Sequence, residues 1–131
     1  MRFLVALLLF FSMVLGALAQ DERNLILGSW VSEEDSNWKM VFTKDNICNW
    51  YYEGELSSSY TYAISNTSPQ CDQEVYISEL TSYLSLTDVS DSTDQYCYEI
   101  YGFSEVTPGR KAVSLRWIRR GKPMLFIKEE L

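Results

Sequence analysis

Residues 38–52 read Trp38-Lys39-Met40-Val41-Phe42-Thr43-Lys44-Asp45-Asn46-Ile47-Cys48-Asn49-Trp50-Tyr51-Tyr52. Trp38, Met40 and Phe42 are apolar at every second position, with Lys39 and Thr43 between or beside them. Side chains of a strand alternate between its two faces, so this period predicts a half-buried strand. Lys44-Asp45-Asn46 is a polar turn cluster, and the aromatic run Trp50-Tyr51-Tyr52 belongs to the next strand.

The same reading extends in both directions. Tyr60, Tyr62 and Ile64 alternate, as do Val75 with Ile77 and Leu84 with Leu86. Tyr96, Tyr98 and Ile100 repeat the pattern, then Val113, Leu115 and Trp117. Ser, Thr, Tyr, Val and Ile dominate these stretches, as strands prefer. Turn residues punctuate them at Glu53-Gly54-Glu55, Asn66 to Asp72, Asp88 to Asp94, Thr107-Pro108-Gly109 and Arg120-Gly121-Lys122-Pro123. Strands are expected near 28–33, 36–43, 47–53, 58–65, 73–80, 82–88, 95–104, 111–119 and 123–129. Only Asp21 to Leu27 suits a helical turn. Eight or nine short strands joined by tight turns predict an all-β fold, an antiparallel up-and-down barrel whose closure removes exposed edges. A two-sheet sandwich is the architectural alternative.

The N-terminus has a different character. Arg2 precedes an apolar run, Phe3 to Leu15, broken only by Ser12, and small residues stand at Ala17 and Ala19. This is the anatomy of a secretory signal peptide, with cleavage expected after Ala19. The run is too short for a comfortable membrane span, so no integral span is expected. The chain thus divides into a signal peptide, 1–19, and one domain, 20–131. The expected location is secreted or periplasmic. The remaining 112 residues hold nine Tyr, four Trp and three Phe, ample for one core.

Composition excludes several activities. The chain of 131 residues has no histidine, which removes Ser-His-Asp and Cys-His nucleophile systems and histidine metal sites. Its net charge of −7 opposes nucleic acid as a partner. No Cys-x-x-Cys pair exists, so no metal is expected. Glu53 and Glu55 share parity on one strand segment as a glycosidase pair would, but Gly54 between them makes the pair a turn. The protein is not expected to be an enzyme, nor to need a cofactor. Asn66-Thr67-Ser68 is a formal glycosylation sequon, followed at once by Pro69.

The start of the domain, Asn24-Leu25-Ile26-Leu27-Gly28-Ser29-Trp30-Val31, sets a short apolar turn before Gly-x-Trp on the first strand. Phe42, Lys44-Asp45-Asn46 and Trp50-Tyr51-Tyr52 follow. Tyr96-Cys97-Tyr98-Glu99-Ile100, Ser114-Leu115-Arg116-Trp117 and Leu125-Phe126-Ile127-Lys128 close the chain. This order resembles the lipocalins and wider calycin group, in particular the small secreted lipocalin-like barrels of bacteria. The resemblance implies that Trp30 plugs the closed end of the barrel, with Gly28 turning tightly beneath it. It also implies a cation lying over Trp30, for which Lys128 is the nearest match and Arg119 and Arg120 are rivals. The larger family's Thr-Asp-Tyr motif is echoed in Thr93-Asp94-Gln95-Tyr96, with one residue inserted. Intracellular fatty-acid-binding proteins have similar length, but their helix pair after the first strand has no counterpart here.

Export makes a disulfide plausible, and three cysteines allow three pairings. The resemblance to small barrels that are stapled in this region favours Cys71 with Cys97; Cys48 with Cys97 is the rival. Cys48 is then the odd thiol, buried beside Trp50 or free to dimerise.

Two functional expectations follow. Trp38, Phe42, Trp50, Tyr60, Tyr62, Tyr98 and Trp117 share inward parity and are candidates to bind a small, mostly apolar ligand. The competing expectation is that these rings fill a solid core. The alternative function is a ligand-free barrel acting through its surface. Residues 20–109 carry 16 acidic and three basic side chains, whereas Arg110, Lys111, Arg116, Arg119, Arg120, Lys122 and Lys128 crowd the last hairpin. That stripe suits an anionic partner such as a polysaccharide, a lipid headgroup or an acidic protein. Its plainer role is to pair with Glu33, Glu34 and Asp35 across the seam.

Overall fold

A computed structural model describes residues 22–119 and 121–130, and the expected signal peptide lies outside them. Eight strands follow in chain order: β1 (Gly28–Ser32), β2 (Trp38–Phe42), β3 (Ile47–Tyr52), β4 (Glu55–Ser65), β5 (Ser82–Asp88), β6 (Gln95–Thr107), β7 (Arg110–Trp117) and β8 (Pro123–Lys128). Each pairs antiparallel with the next, and β8 returns to β1 through Trp30↔Lys128, Val31↔Ile127 and Ser32↔Phe126. The result is a closed up-and-down barrel, not a sandwich.

Alternation decides what fills it. Trp30, Met40, Phe42, Cys48, Leu84, Leu86, Val113, Leu115 and Phe126 are all at most 2% exposed and form the core with Tyr60, Tyr62, Tyr98 and Ile100. In β6 the register shifts between Ile100 and Gly102. Tyr101 faces outward at the slip, and the extra residue returns Phe103 to the inner face, where it packs 6.1 Å from Trp30. At the β3–β4 hairpin, Glu53 (φ 52°) and Gly54 (φ 81°) take the two left-handed positions that a tight two-residue turn demands. Glu53 and Glu55 are both exposed there.

One barrel end is capped. Residues 22–26 make a single helical turn, and the fully buried Ile26 closes the floor. Trp30 Nε1 donates to the Ile26 carbonyl oxygen at 2.7 Å. The Lys128 ammonium lies 5.5 Å from the centre of the Trp30 ring, within cation–π range. Gly28 has φ +114°, and a Cβ there would come within 3.1 Å of Lys128 Cε.

The strand expected near 73–80 does not form. Residues 66–81 are irregular apart from one bridge, Gln70↔Gln73. Both edges of β4 and of β5 are already paired, so a closed barrel offers this stretch no ladder to join. It runs instead as a strap over the outer face of β5 and β6. The Cys71–Cys97 disulfide fastens it, and Tyr83, buried beneath it, donates its hydroxyl to the Tyr76 carbonyl oxygen. Gln70 is buried within the strap and donates to the Thr67 carbonyl at 2.8 Å and to Ser65 Oγ at 3.0 Å.

Candidate functional site

At the end opposite Trp30 the barrel holds a cavity of about 420 Å³. Antiparallel order brings there the N-terminal ends of β2, β4, β6 and β8 and the C-terminal ends of β1, β3, β5 and β7. Their inward positions supply Trp38, Trp50, Tyr60, Leu86, Tyr96, Tyr98, Met124 and Phe126, while Ser32, Glu34, Asp35, Ser57 and Ser58 form the rim.

The aromatic rings stand in two banks. On one, Trp38 lies 4.7 Å from Tyr52 and meets Trp50 edge-on at 5.8 Å, and Trp50 meets Phe126 edge-on at 6.3 Å. On the other, Tyr60 meets Tyr96 edge-on at 5.9 Å, and Tyr96 lies 6.3 Å from Trp117. Edge-to-face contacts suit the ring quadrupoles and fix the walls in place. The Trp50 indole N–H is buried with no acceptor among the described residues. Burial raises the Tyr98 hydroxyl far above its ordinary value and also raises Tyr96, so both remain neutral hydrogen-bonding groups near neutral pH.

One side of the rim is the β1–β2 turn. Ser32 Oγ accepts from the Asp35 amide at 3.3 Å, and Asp35 Oδ1 accepts from the Asn37 amide at 3.0 Å. The Trp38 amide then donates to the Asp35 carbonyl at 3.0 Å, leading the chain into β2. This sequence of short-range bonds sets Asp35 at the mouth beside Trp38.

Of the seven residues expected to bind ligand, Trp38, Trp50, Tyr60 and Tyr98 line this cavity. Phe42 and Tyr62 do not. They pack edge-on at 5.0 Å deeper in the barrel, where the Tyr62 hydroxyl donates to the Thr43 carbonyl. Trp117 packs behind Tyr96 rather than on the cavity surface. The seven residues thus divide between two regions: Phe42 and Tyr62 pack in the core of the lower barrel, and Trp38, Trp50, Tyr60 and Tyr98 border the cavity of the upper barrel. Tyr96, Leu86, Met124 and Phe126 were not among the seven, although the alternation that found Tyr98 also puts Tyr96 and Leu86 inward. The sequence marked Glu34 and Asp35 only as partners for the basic hairpin, because turn residues have no periodicity that could place them at a cavity.

Cys48 faces inward on β3, fully buried, while Cys97 lies under the strap on the outer face, which removes the rival pairing. Burial pushes the Cys48 thiol well up, so it stays protonated. No described group of three or more Cys, Asp or Glu side chains is placed to hold a metal ion. No described helix is long and apolar enough to cross a membrane.

The basic hairpin is partly committed to local partners. Lys122 meets Glu34 at 3.3 Å, Lys128 turns inward over Trp30, and Arg116 Nη1 donates to the Tyr101 hydroxyl at 3.0 Å. Reaching across β1, Lys39 of β2 meets Glu129, just past β8, at 3.4 Å. No family model, curated protein or solved structure matches the chain.

Proposed function

We propose that this is a secreted, non-enzymatic binding protein of the lipocalin-like kind, which holds one small, mostly apolar molecule in the mouth of its barrel. The observation that carries this reading is the cavity of about 420 Å³ between Trp38, Trp50, Tyr60 and Tyr98. Its size falls within the range of about 300–1,000 Å³ typical of small-molecule sites. Its walls are mainly apolar, with a few hydroxyls and carboxylates at the entrance, the usual division between affinity and orientation. The lipocalin resemblance supports the same reading through Gly28, Trp30 and the cation of Lys128 above the indole. The disulfide accords with an oxidising compartment.

Native mass spectrometry of the protein, recovered from the medium of the cells that make it, tests this. The expected spectrum shows a chain beginning at Gln20 and carrying an adduct of a few hundred daltons, which leaves on denaturation. Trp50→Ala removes an aromatic wall and is expected to weaken retention of that adduct about tenfold or more. A clean apo mass, with no tryptophan fluorescence change on adding apolar compounds, sinks the proposal.

A further inference from the structure

The cavity has a chemical bias beyond being apolar. Two carboxylates, Glu34 and Asp35, stand among its lining residues, and no lysine or arginine does. The wider rim has the same sign. Glu33 adds to the β1–β2 turn, Glu53 lies in the β3–β4 turn, and Asp91 and Asp94 lie between β5 and β6. Arg116, Arg119 and Lys122 are the described cations at this end of the barrel; Lys122 already sits against Glu34, and Arg116 donates to the Tyr101 hydroxyl. A carboxylate-bearing ligand such as a fatty acid would therefore enter an acidic mouth and meet no cation among the described lining residues, which is costly for a desolvated charge.

The walls favour the opposite charge. Trp38 and Trp50 are inclined at 75°, Trp50 and Phe126 at 86°, and Tyr60 and Tyr96 at 86°. The rings that line the cavity are therefore not coplanar, and an aromatic lining of this kind can take an alkylammonium group against a ring face. Asp35 is half-buried, with one oxygen on the Asn37 amide, beside the first of these rings.

We propose that the ligand is a small organic amine, protonated at neutral pH, with its apolar body among the rings and its cation near Asp35 and Glu34. This inference rests on the cavity being the binding site.

Isothermal titration of the ligand-free protein with three probes of one shape separates the two ideas: tryptamine (cationic), indole-3-ethanol (neutral) and indole-3-acetate (anionic). Tryptamine is expected to bind about tenfold or more tighter than the alcohol, with the acetate weakest. Added salt should narrow the gap, because the rim is open to solvent. The double variant Asp35→Asn, Glu34→Gln keeps the turn's acceptor and should bring tryptamine to within about threefold of the alcohol, while leaving the alcohol unchanged. Equal binding of tryptamine and the alcohol, or a preference that survives the double variant, overturns the amine and leaves the cavity standing. Tightest binding of the acetate overturns it as well. Failure of all three probes to bind a folded protein overturns both the amine and the cavity as a binding site.

Discussion

Trp30 is held from three sides by residues that each do a different job. The Ile26 carbonyl takes its N–H, Phe103 meets its ring, and Lys128 places a cation over it. Room for the Lys128 stem exists because Gly28 has no side chain. Gly28→Ala should destabilise the fold by about 1–3 kcal/mol, combining a left-handed backbone angle with crowding against Lys128 Cε. Urea unfolding measures it. In a Lys128→Ala background the crowding vanishes but the backbone strain stays, so only part of the loss should be recovered. An unchanged unfolding midpoint in Gly28→Ala would mean that the glycine is incidental. The Gly-x-Trp pair was legible from the chain because it sits where a period-two pattern begins. The pairing of Lys128 with Trp30 is less so, since it depends on which residue of β8 faces Trp30 after eight strands have closed.

At the level of elements, alternation and turn punctuation together identified all eight strands and added a ninth that does not form. Val75 and Ile77 have the period of a strand, but period describes what a segment suits, not whether a partner edge is available. The strap 66–81 takes its shape from tertiary attachments instead: the disulfide, the buried Gln70 and the Tyr83 hydroxyl. Those contacts join residues far apart in sequence or lie in loops, where hydrophobic periodicity is silent. Cys71→Ser with Cys97→Ala should lower stability by about 3.5 kcal/mol for a separation of 26 residues. At a typical slope this moves the urea midpoint by about 2 M. Because Cys97 faces the strap and Tyr98 faces the cavity, the barrel's circular dichroism should persist in the variant. Chymotrypsin should cut the variant much faster near Tyr76 and Leu80, which are 76% and 94% exposed. Equal cleavage rates in the two proteins would show that the disulfide does not hold the strap.

The molecule as a whole buries one thiol and two tyrosine hydroxyls inside the barrel. Cys48, Tyr62 and Tyr98 lie inside the barrel, and burial raises each above its ordinary value. Tyr96 at the mouth and Tyr83 under the strap are raised in the same direction, again mainly by burial. The consequence for stability has a definite sign. These groups are neutral when protonated, and the unfolded chain loses its protons first, near pH 8.5 for cysteine and about 10 for tyrosine. Their contribution is therefore fully present below those values and declines as pH rises above them, through the raised values of the folded state. Asp88 and Asp91 act at the other limit. The Ser90 and Thr93 hydroxyls hold these carboxyls below the usual range, so this small contribution is present above about pH 4 and fades as pH falls. The expected profile is a broad plateau of stability through neutrality, with an alkaline fall beginning near pH 9 and steepening above 10. Phenolate absorbance and near-ultraviolet circular dichroism, followed together from neutral to strongly alkaline pH, test this. Part of the phenolate signal should appear only as the tertiary signal is lost, because the buried tyrosines ionise when the barrel opens. Tyr98→Phe should flatten the fall above pH 10, and Cys48→Ala should remove its earliest portion. If every tyrosine titrates near pH 10 while the tertiary signal is intact, the barrel interior is open to water. The hollow upper half would then be continuous with a lower half that is not solid.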